Sequence, residues 1–186
     1  MLFRSELLND DITTFLRRAE RIELGEVAID DVREALKSTF DTGEKALDND
    51  LAQECANATG GYPFMIQLVG YQVWKHSGDG PVTRPAVAAG TTAARLRLGN
   101  LVHAPALRDL SDVDRTMLVC MAKDDGPSQI ADIAERMGRP INYVSVYRNR
   151  LLAAGIIKAA GYGKVDFAAP YLREYLREHA AHLVME

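Results

Sequence analysis

Few residues of this chain have the types and spacing that suit chemistry. His179 and His182 sit one helical turn apart and in principle can share a metal ion. With no cysteine near them they are expected to form a solvated, frayed helix end. No Ser-His-Asp or Cys-His arrangement stands out in local context. Phosphate cradling needs the spacing G-x-x-x-x-G-K-S/T, and Gly43-Glu44-Lys45 lacks the preceding glycine and runs into Ala46. Nor does any apolar strand-like run end in an acidic pair suited to hold magnesium. Gly161-Tyr162-Gly163 joins two strand-like segments and does not open a helix, so it reads as a hairpin turn and not a dinucleotide loop. No catalytic residue and no metal site are expected. Recognition is what remains: Asn142, Ser145 and Arg148 suit base edges or phosphates, Arg150 is placed with them, and Lys158 and Lys164 flank the hairpin.

The elements that must position these groups are legible between Leu110 and Phe167. Ser111 suits a helix N-cap, and Val113, Met117, Leu118 and Met121 then recur at helical spacing. Asp124-Asp125-Gly126-Pro127 stops that helix. Ser128 is expected to cap the next, which carries Ile130, Ile133, Ala134 and Met137, and Gly138 fits the left-handed position beyond its end. A third helix starts at Arg139-Pro140. Its Val144, Tyr147, Leu151 and Leu152 should face a core, leaving Asn142, Ser145, Val146, Arg148, Asn149 and Arg150 on or near the opposite side. Gly155 ends it, Ile156-Ile157 begins a strand, and Val165 and Phe167 alternate with Asp166 on the return strand. A last helix opens at Pro170 with Leu172, Tyr175 and Leu176 inward.

Three short helices followed by a hairpin make a winged helix-turn-helix. From Ser128 to Val165, Asp132 and Glu135 stand against Arg136, Arg139, Arg148, Arg150, Lys158 and Lys164. The stretch is locally basic, as a DNA-contacting surface should be. The competing reading is a solvated face on a domain that packs against its own chain.

The 186 residues allow one or two small domains, and a net charge of −4 argues against strong non-specific nucleic-acid binding. No run of about 18 apolar residues exists, so no membrane span is expected. Met1-Leu2-Phe3-Arg4 leads at once into charged residues, so no secretory signal is expected, and a cytoplasmic location follows. Cys55 and Cys120 lie on apolar helical faces and are expected as buried thiols, not a disulfide.

The first half is also helical. Arg21-Ile22-Glu23-Leu24 alternates like an edge strand, Asp30 is placed to cap a helix carrying Val32, Leu36 and Phe40, and a helix around Asp48 to Ala58 buries Leu51 and Cys55. After Gly60-Gly61 comes a helix from Pro63 to Lys75. Phe64, Met65, Ile66, Leu68, Val69, Tyr71, Val73 and Trp74 cover nearly its whole circumference. A helix that is apolar all round must be covered on more than one side, by another part of a larger protein or by a second copy. Thr83 and Pro85 start a further helix to about Leu98, with breaks expected at Gly99-Asn100 and at His103-Ala104-Pro105 before the winged helix.

The run from Thr14 to Leu24, then helices, then Gly61-Tyr62-Pro63, then a winged helix, resembles the carboxy-terminal half of AAA+/STAND-type P-loop ATPases. These proteins join an ATPase core to a small helical lid and an appended winged-helix domain. The resemblance implies that Gly61, Tyr62, Pro63 and Phe64 approach ATP or ADP bound by the full-length protein. Gly61 would permit close backbone approach, and Pro63 would start a helix whose N–H groups favour an anion. It also places Arg17, Arg18 and Arg21 where such proteins can carry phosphate-sensing arginines, without fixing which residue has that role. The chain departs from the family in lacking the phosphate-cradling loop, so this segment alone is not expected to hydrolyse ATP or to hold nucleotide tightly.

The expected architecture is therefore mainly α: a lid-like helical bundle over residues 1–80, a linker helix over 81–108, and a winged helix-turn-helix over 109–186. The leading reading of function is a regulatory carboxy-terminal part of a nucleotide-switched ATPase. Its partners would be the missing core, or a second copy through the Phe64–Trp74 helix, and DNA through the winged helix. The alternatives are a free-standing winged-helix transcriptional regulator with an amino-terminal helical dimerisation domain, and a protein-interaction module with no nucleic-acid role.

Overall fold

The computed structural model describes residues 25–183, with side chains described as far as residue 180. Arg17, Arg18, Arg21 and the strand expected at Arg21–Leu24 lie outside the described residues, as does the His182 side chain. Mainly helical, with one small antiparallel sheet, the chain forms a helical bundle followed by a winged helix, as two compact units divided between Leu101 and Val102.

In the first unit, α1 (Ile29–Thr42) buries Val32, Leu36 and Phe40, spaced four residues apart on one face. Asp30 is not its cap. The cap position is two residues earlier, at Ala28, and Asp30 sits in the first turn beside Arg33, where a carboxylate still favours the helix dipole. α2 (Asn49–Thr59) is capped by Asp48, whose Oδ1 accepts from the Leu51 N–H at 2.8 Å, and ends on Gly60 in the left-handed region. α3 (Pro63–His76) buries Met65, Leu68, Val69, Gln72 and Val73. α4 (Arg84–Leu98), capped by Thr83, buries Ala86, Val87, Gly90, Ala94 and Leu98.

The helix expected as a linker is thus the principal packing partner of α3. The reason is Gly90, where a Cβ atom would stand 2.6 Å from Val73 Cα and 2.7 Å from Val73 N. The two helices meet backbone to backbone, an approach that any side chain at this position would obstruct. On the other side, the edge of Phe40 meets Trp74 at 5.3 Å between ring centroids. Coverage of α3 is still incomplete among the described residues. Tyr71 is 58% exposed, and Leu36, Phe40, Ile66, Gly70, Tyr71 and Trp74 line an open groove of about 430 Å³. Cys55 is buried in this unit, and desolvation pushes its thiol up to about 12.

The chain does not break at Gly99-Asn100 as expected. Residues Gly99–His103 form one π-helical turn, and the second unit contains α5 (Ala104–Arg108), α6 (Asp112–Met121), β1 (Ser128–Gln129), α7 (Ile130–Met137), α8 (Ile141–Ala153), β2 (Ile157–Ala159), β3 (Lys164–Phe167) and α9 (Leu172–Leu183). The sheet order is β1-β3-β2, all antiparallel, with Ser128 opposite Val165 and Ile157 opposite Phe167. Leu107, Met117, Leu118, Met121, Ile133, Val144, Leu151, Ile157, Val165 and Leu176 form one core. Tyr147 and Leu152 pack at its margin, half-buried. Buried Cys120 has its thiol raised, chiefly by desolvation.

Two expectations fail in this unit. Ser128 does not cap α7. It lies in β1, buried, and its hydroxyl donates to the Met121 carbonyl at 3.2 Å, because pairing with Val165 holds it extended. The last helix begins at Leu172, not at Pro170, after Tyr171 takes a left-handed φ of 59°.

Three arginines brace the end of α6. Arg136 donates to the Cys120 carbonyl and to Asp124, Arg173 to the Met121 and Asp124 carbonyls and to Asp166, and Arg177 to the Ala122 carbonyl at 2.6 Å. Arg136 and Arg177 satisfy the Cys120 and Ala122 carbonyls at the helix end, and Arg173 adds to a Met121 carbonyl that already takes the Asp124 N–H and the Ser128 hydroxyl. The Arg136 bond holds the Asp124 carboxyl below its ordinary range. His179 stacks on Tyr175 at 4.1 Å, its Nδ1 within 2.8 Å of the Tyr175 carbonyl oxygen, an arrangement made inside α9.

Candidate functional site

The groups singled out for nucleic acid lie on α8 and on the β2–β3 hairpin. α8 contains no acidic residue, and Gly138 in the left-handed region (φ 60°) turns the chain into it. With Val144 and Leu151 buried, the helical period turns Asn142, Val146 and Asn149 outward, and Ser145 lies beside them half-buried. The Asn142 Oδ1 accepts from the Tyr143 N–H at 3.0 Å, which leaves its amide N–H groups for another acceptor. The Ser145 hydroxyl donates to the Ile141 carbonyl at 2.8 Å. On the hairpin, Lys158 and Lys164 are exposed, while Asp166 is engaged by Arg173.

Of the two arginines expected outward on α8, Arg148 differs from that placement and Arg150 is exposed but paired. Arg148 is half-buried on the flank of α8. It donates to the Asn149 side chain at 3.3 Å, and its Nε has no partner. Arg150 pairs with Asp114 at 3.0 Å and lies over the Tyr147 ring at 5.6 Å. Asp114 is only 1% exposed, and it also closes the capping box of α6 with Ser111. Arg150 therefore compensates a buried carboxylate on a neighbouring helix, a non-local role that no local pattern announces. Asp114→Ala should remove the box and free Arg150, lowering the denaturant midpoint of this unit by the equivalent of about 2 kcal/mol. A midpoint unchanged by that substitution would show that Asp114 braces nothing.

Sequence reasoning gave no part to two exposed side chains here, Ile141 at 55% and Tyr162 at 102%, while Val146, expected outward, is 58% exposed. An aromatic residue between two turn glycines was the one signal available for Tyr162. Arg139 is also exposed, its guanidinium over the Tyr143 ring at 5.5 Å.

The Gly61–Phe64 turn has a different geometry. Gly61 takes a φ of 70°, its N–H bonds the Thr59 hydroxyl at 3.1 Å, and its carbonyl accepts from the Val27 N–H at 2.8 Å. A Cβ at Gly61 would stand 2.3 Å from the Val27 carbonyl oxygen. The close backbone approach that this glycine allows is thus made to a segment of its own unit. Tyr62 is the N-cap of α3 in an extended conformation, Pro63 occupies the first helical turn, and Tyr62, Pro63 and Phe64 are half-buried. That turn contains no acidic residue and no capping side chain, so the helix N-terminus keeps its positive end.

Among the described residues no cluster of His, Cys, Asp or Glu is arranged to hold a metal ion, and no helix is long and apolar enough to cross a membrane.

A family model described as a domain of unknown function (DUF8462) matches residues 100–176. No curated protein matches the chain. Among solved structures it is similar to the Thermotoga maritima RuvB Holliday junction branch migration motor, with 17% identity over 83% of this chain and 50% of that one, and a TM-score of 0.36. A mutant of the same RuvB matches with 18% identity over 88% and 54% of the two chains, and a TM-score of 0.37. The chain spans about half the length of these structures. At these values the similarity assigns no function.

Proposed function

We propose that the chain is the helical lid and winged-helix arm of a P-loop ATPase, with the winged helix as a DNA-contacting output. The observation that carries the DNA reading is the composition of the α8 and hairpin surface. It has no acidic residue on its helix, outward Asn142 and Asn149 suited to base edges, and Arg139, Arg148, Lys158 and Lys164 suited to phosphates. The lid reading is supported by the order of elements and by the uncovered groove beside α3, which an ATPase core would cover. Tyr62, Pro63 and Phe64, at the positive end of α3, are the residues of this chain that would face the nucleotide, with Gly61 holding the turn. ATP hydrolysis would belong to that core, since the chain has no phosphate-cradling loop.

The test is fluorescence anisotropy on labelled duplex DNA, repeated across a range of salt. Binding should weaken linearly on a log–log scale. Lys164→Ala should reduce the slope by about 1 while lowering affinity on all sequences alike. Arg148→Ala should also weaken binding. Absence of salt-dependent binding at low ionic strength overturns the DNA reading.

A second reading, protein recognition by the same surface, is favoured by the exposed apolar side chains Ile141 and Val146. It expects Val146→Asp to abolish capture of a partner protein while DNA binding is absent throughout.

A further inference from the structure

The tip of the β2–β3 hairpin carries a side chain that the fold does not use. The Lys164 N–H closes the turn on the Gly161 carbonyl at 3.2 Å, and Gly161 and Gly163 take φ values of 108° and 68°. Tyr162, between them, packs against nothing, and a Cβ placed on Gly161 would meet no atom within 4 Å. A turn of this kind is served equally by Asn, Asp or Ser, which cost no exposed apolar ring. The phenol is therefore presented outward on a narrow, clear projection. Its setting is cationic: Lys164 is exposed beside the tip, exposed Lys158 stands opposite Asp166, which Arg173 engages, and no acidic residue lies between Ile157 and Val165.

We propose that Tyr162 stacks on an unpaired nucleobase where duplex DNA opens into a single strand. This inference rests on the DNA reading above and specifies its substrate. Within an intact duplex, base faces are occupied by their neighbours and offer an aromatic ring nothing to stack on. At a fork the terminal and unpaired bases expose a π-face, and phosphates lie within reach of neighbouring cations. A ring on a projecting tip flanked by lysines matches that combination, since stacking is indifferent to base identity and the backbone supplies the charge. The outward stripe of α8 would meanwhile hold the adjoining duplex.

The experiment compares a forked oligonucleotide with a blunt duplex of equal duplex length, by anisotropy at low salt, using the full chain. Tyr162→Ala should weaken fork binding about tenfold and leave the blunt duplex unchanged, while Tyr162→Phe keeps fork binding. A fluorescent adenine analogue at the junction should be quenched by the wild type and by Tyr162→Phe, but not by Tyr162→Ala. Because the side chain packs on nothing, all three proteins should melt together. Equal losses on fork and duplex, or no loss on either, overturn the stacking proposal while the DNA reading stands. Failure of the wild type to bind either oligonucleotide overturns both.

Discussion

Gly90→Ala should destabilise the first unit by about 3 kcal/mol, even though alanine is the better helix former. In an exposed helix interior the same exchange should be stabilising by about 1 kcal/mol, because glycine has the greater conformational entropy to lose. At this position the added methyl would lie 2.6 Å from Val73 Cα and 2.7 Å from both Val73 N and Cγ2. Two of those three atoms are backbone, so no rotamer change can relieve the contact. The helices must separate instead, and Val69, Val73, Val87 and Ala94, all buried at this packing, lose contacts together. The single tryptophan, Trp74, lies on α3 and reports this unit alone. Urea unfolding followed by its fluorescence should show the midpoint falling by about 1 to 2 M. Ala89→Gly, on the exposed side of the same helix, should cost only about 1 kcal/mol. A midpoint that rises in Gly90→Ala would mean that the close approach of α3 and α4 is not what holds the unit.

Acid should unfold the second unit through His103. The imidazole is buried against Tyr175, and Nε2 lies 3.1 Å from the Pro170 carbonyl oxygen. A carbonyl can only accept, so Nε2 carries the proton of the neutral ring. Burial pushes the group from 6.5 down to about 4, against smaller opposing effects of the Pro170 carbonyl and of Glu174. Since the folded value is the lower one, the unfolded chain binds more protons between pH 6.5 and about 4. Stability is therefore undiminished by this group above pH 6.5, falls through that window, and levels off below it. The full drop is about 3 kcal/mol. His103→Gln keeps an N–H donor but removes the titration, so its stability should be flatter with pH than that of the wild type. Hydrogen exchange of α9 amides, compared between the two proteins, checks this apart from the carboxylates that titrate at lower pH. Parallel pH profiles in the two proteins would exclude His103 as the acid-labile group.

Much of this architecture was determined by the sequence alone, because the signals that specify it are local. The recurrence of Met117, Leu118 and Met121, and of Ile130, Ile133 and Ala134, places a buried face within each helix, and all six are buried. Caps at Ser111, Asp48 and Thr83, and the left-handed glycines Gly60 and Gly138, need only their immediate neighbours. The tertiary structure decided whatever depends on a partner far along the chain. Ser128 looks like a helix cap until Val165 pairs with it, and nothing near Arg150 in the sequence announces its pairing with buried Asp114. Gly61 looks open to a ligand until Val27 occupies the space, and the helix around Gly90 looks like a linker until Val73 meets it. Periodicity and capping act over one or two turns and are written in adjacent residues. Charge compensation and backbone contact are settled only when distant segments meet, and so they appear only in the folded chain.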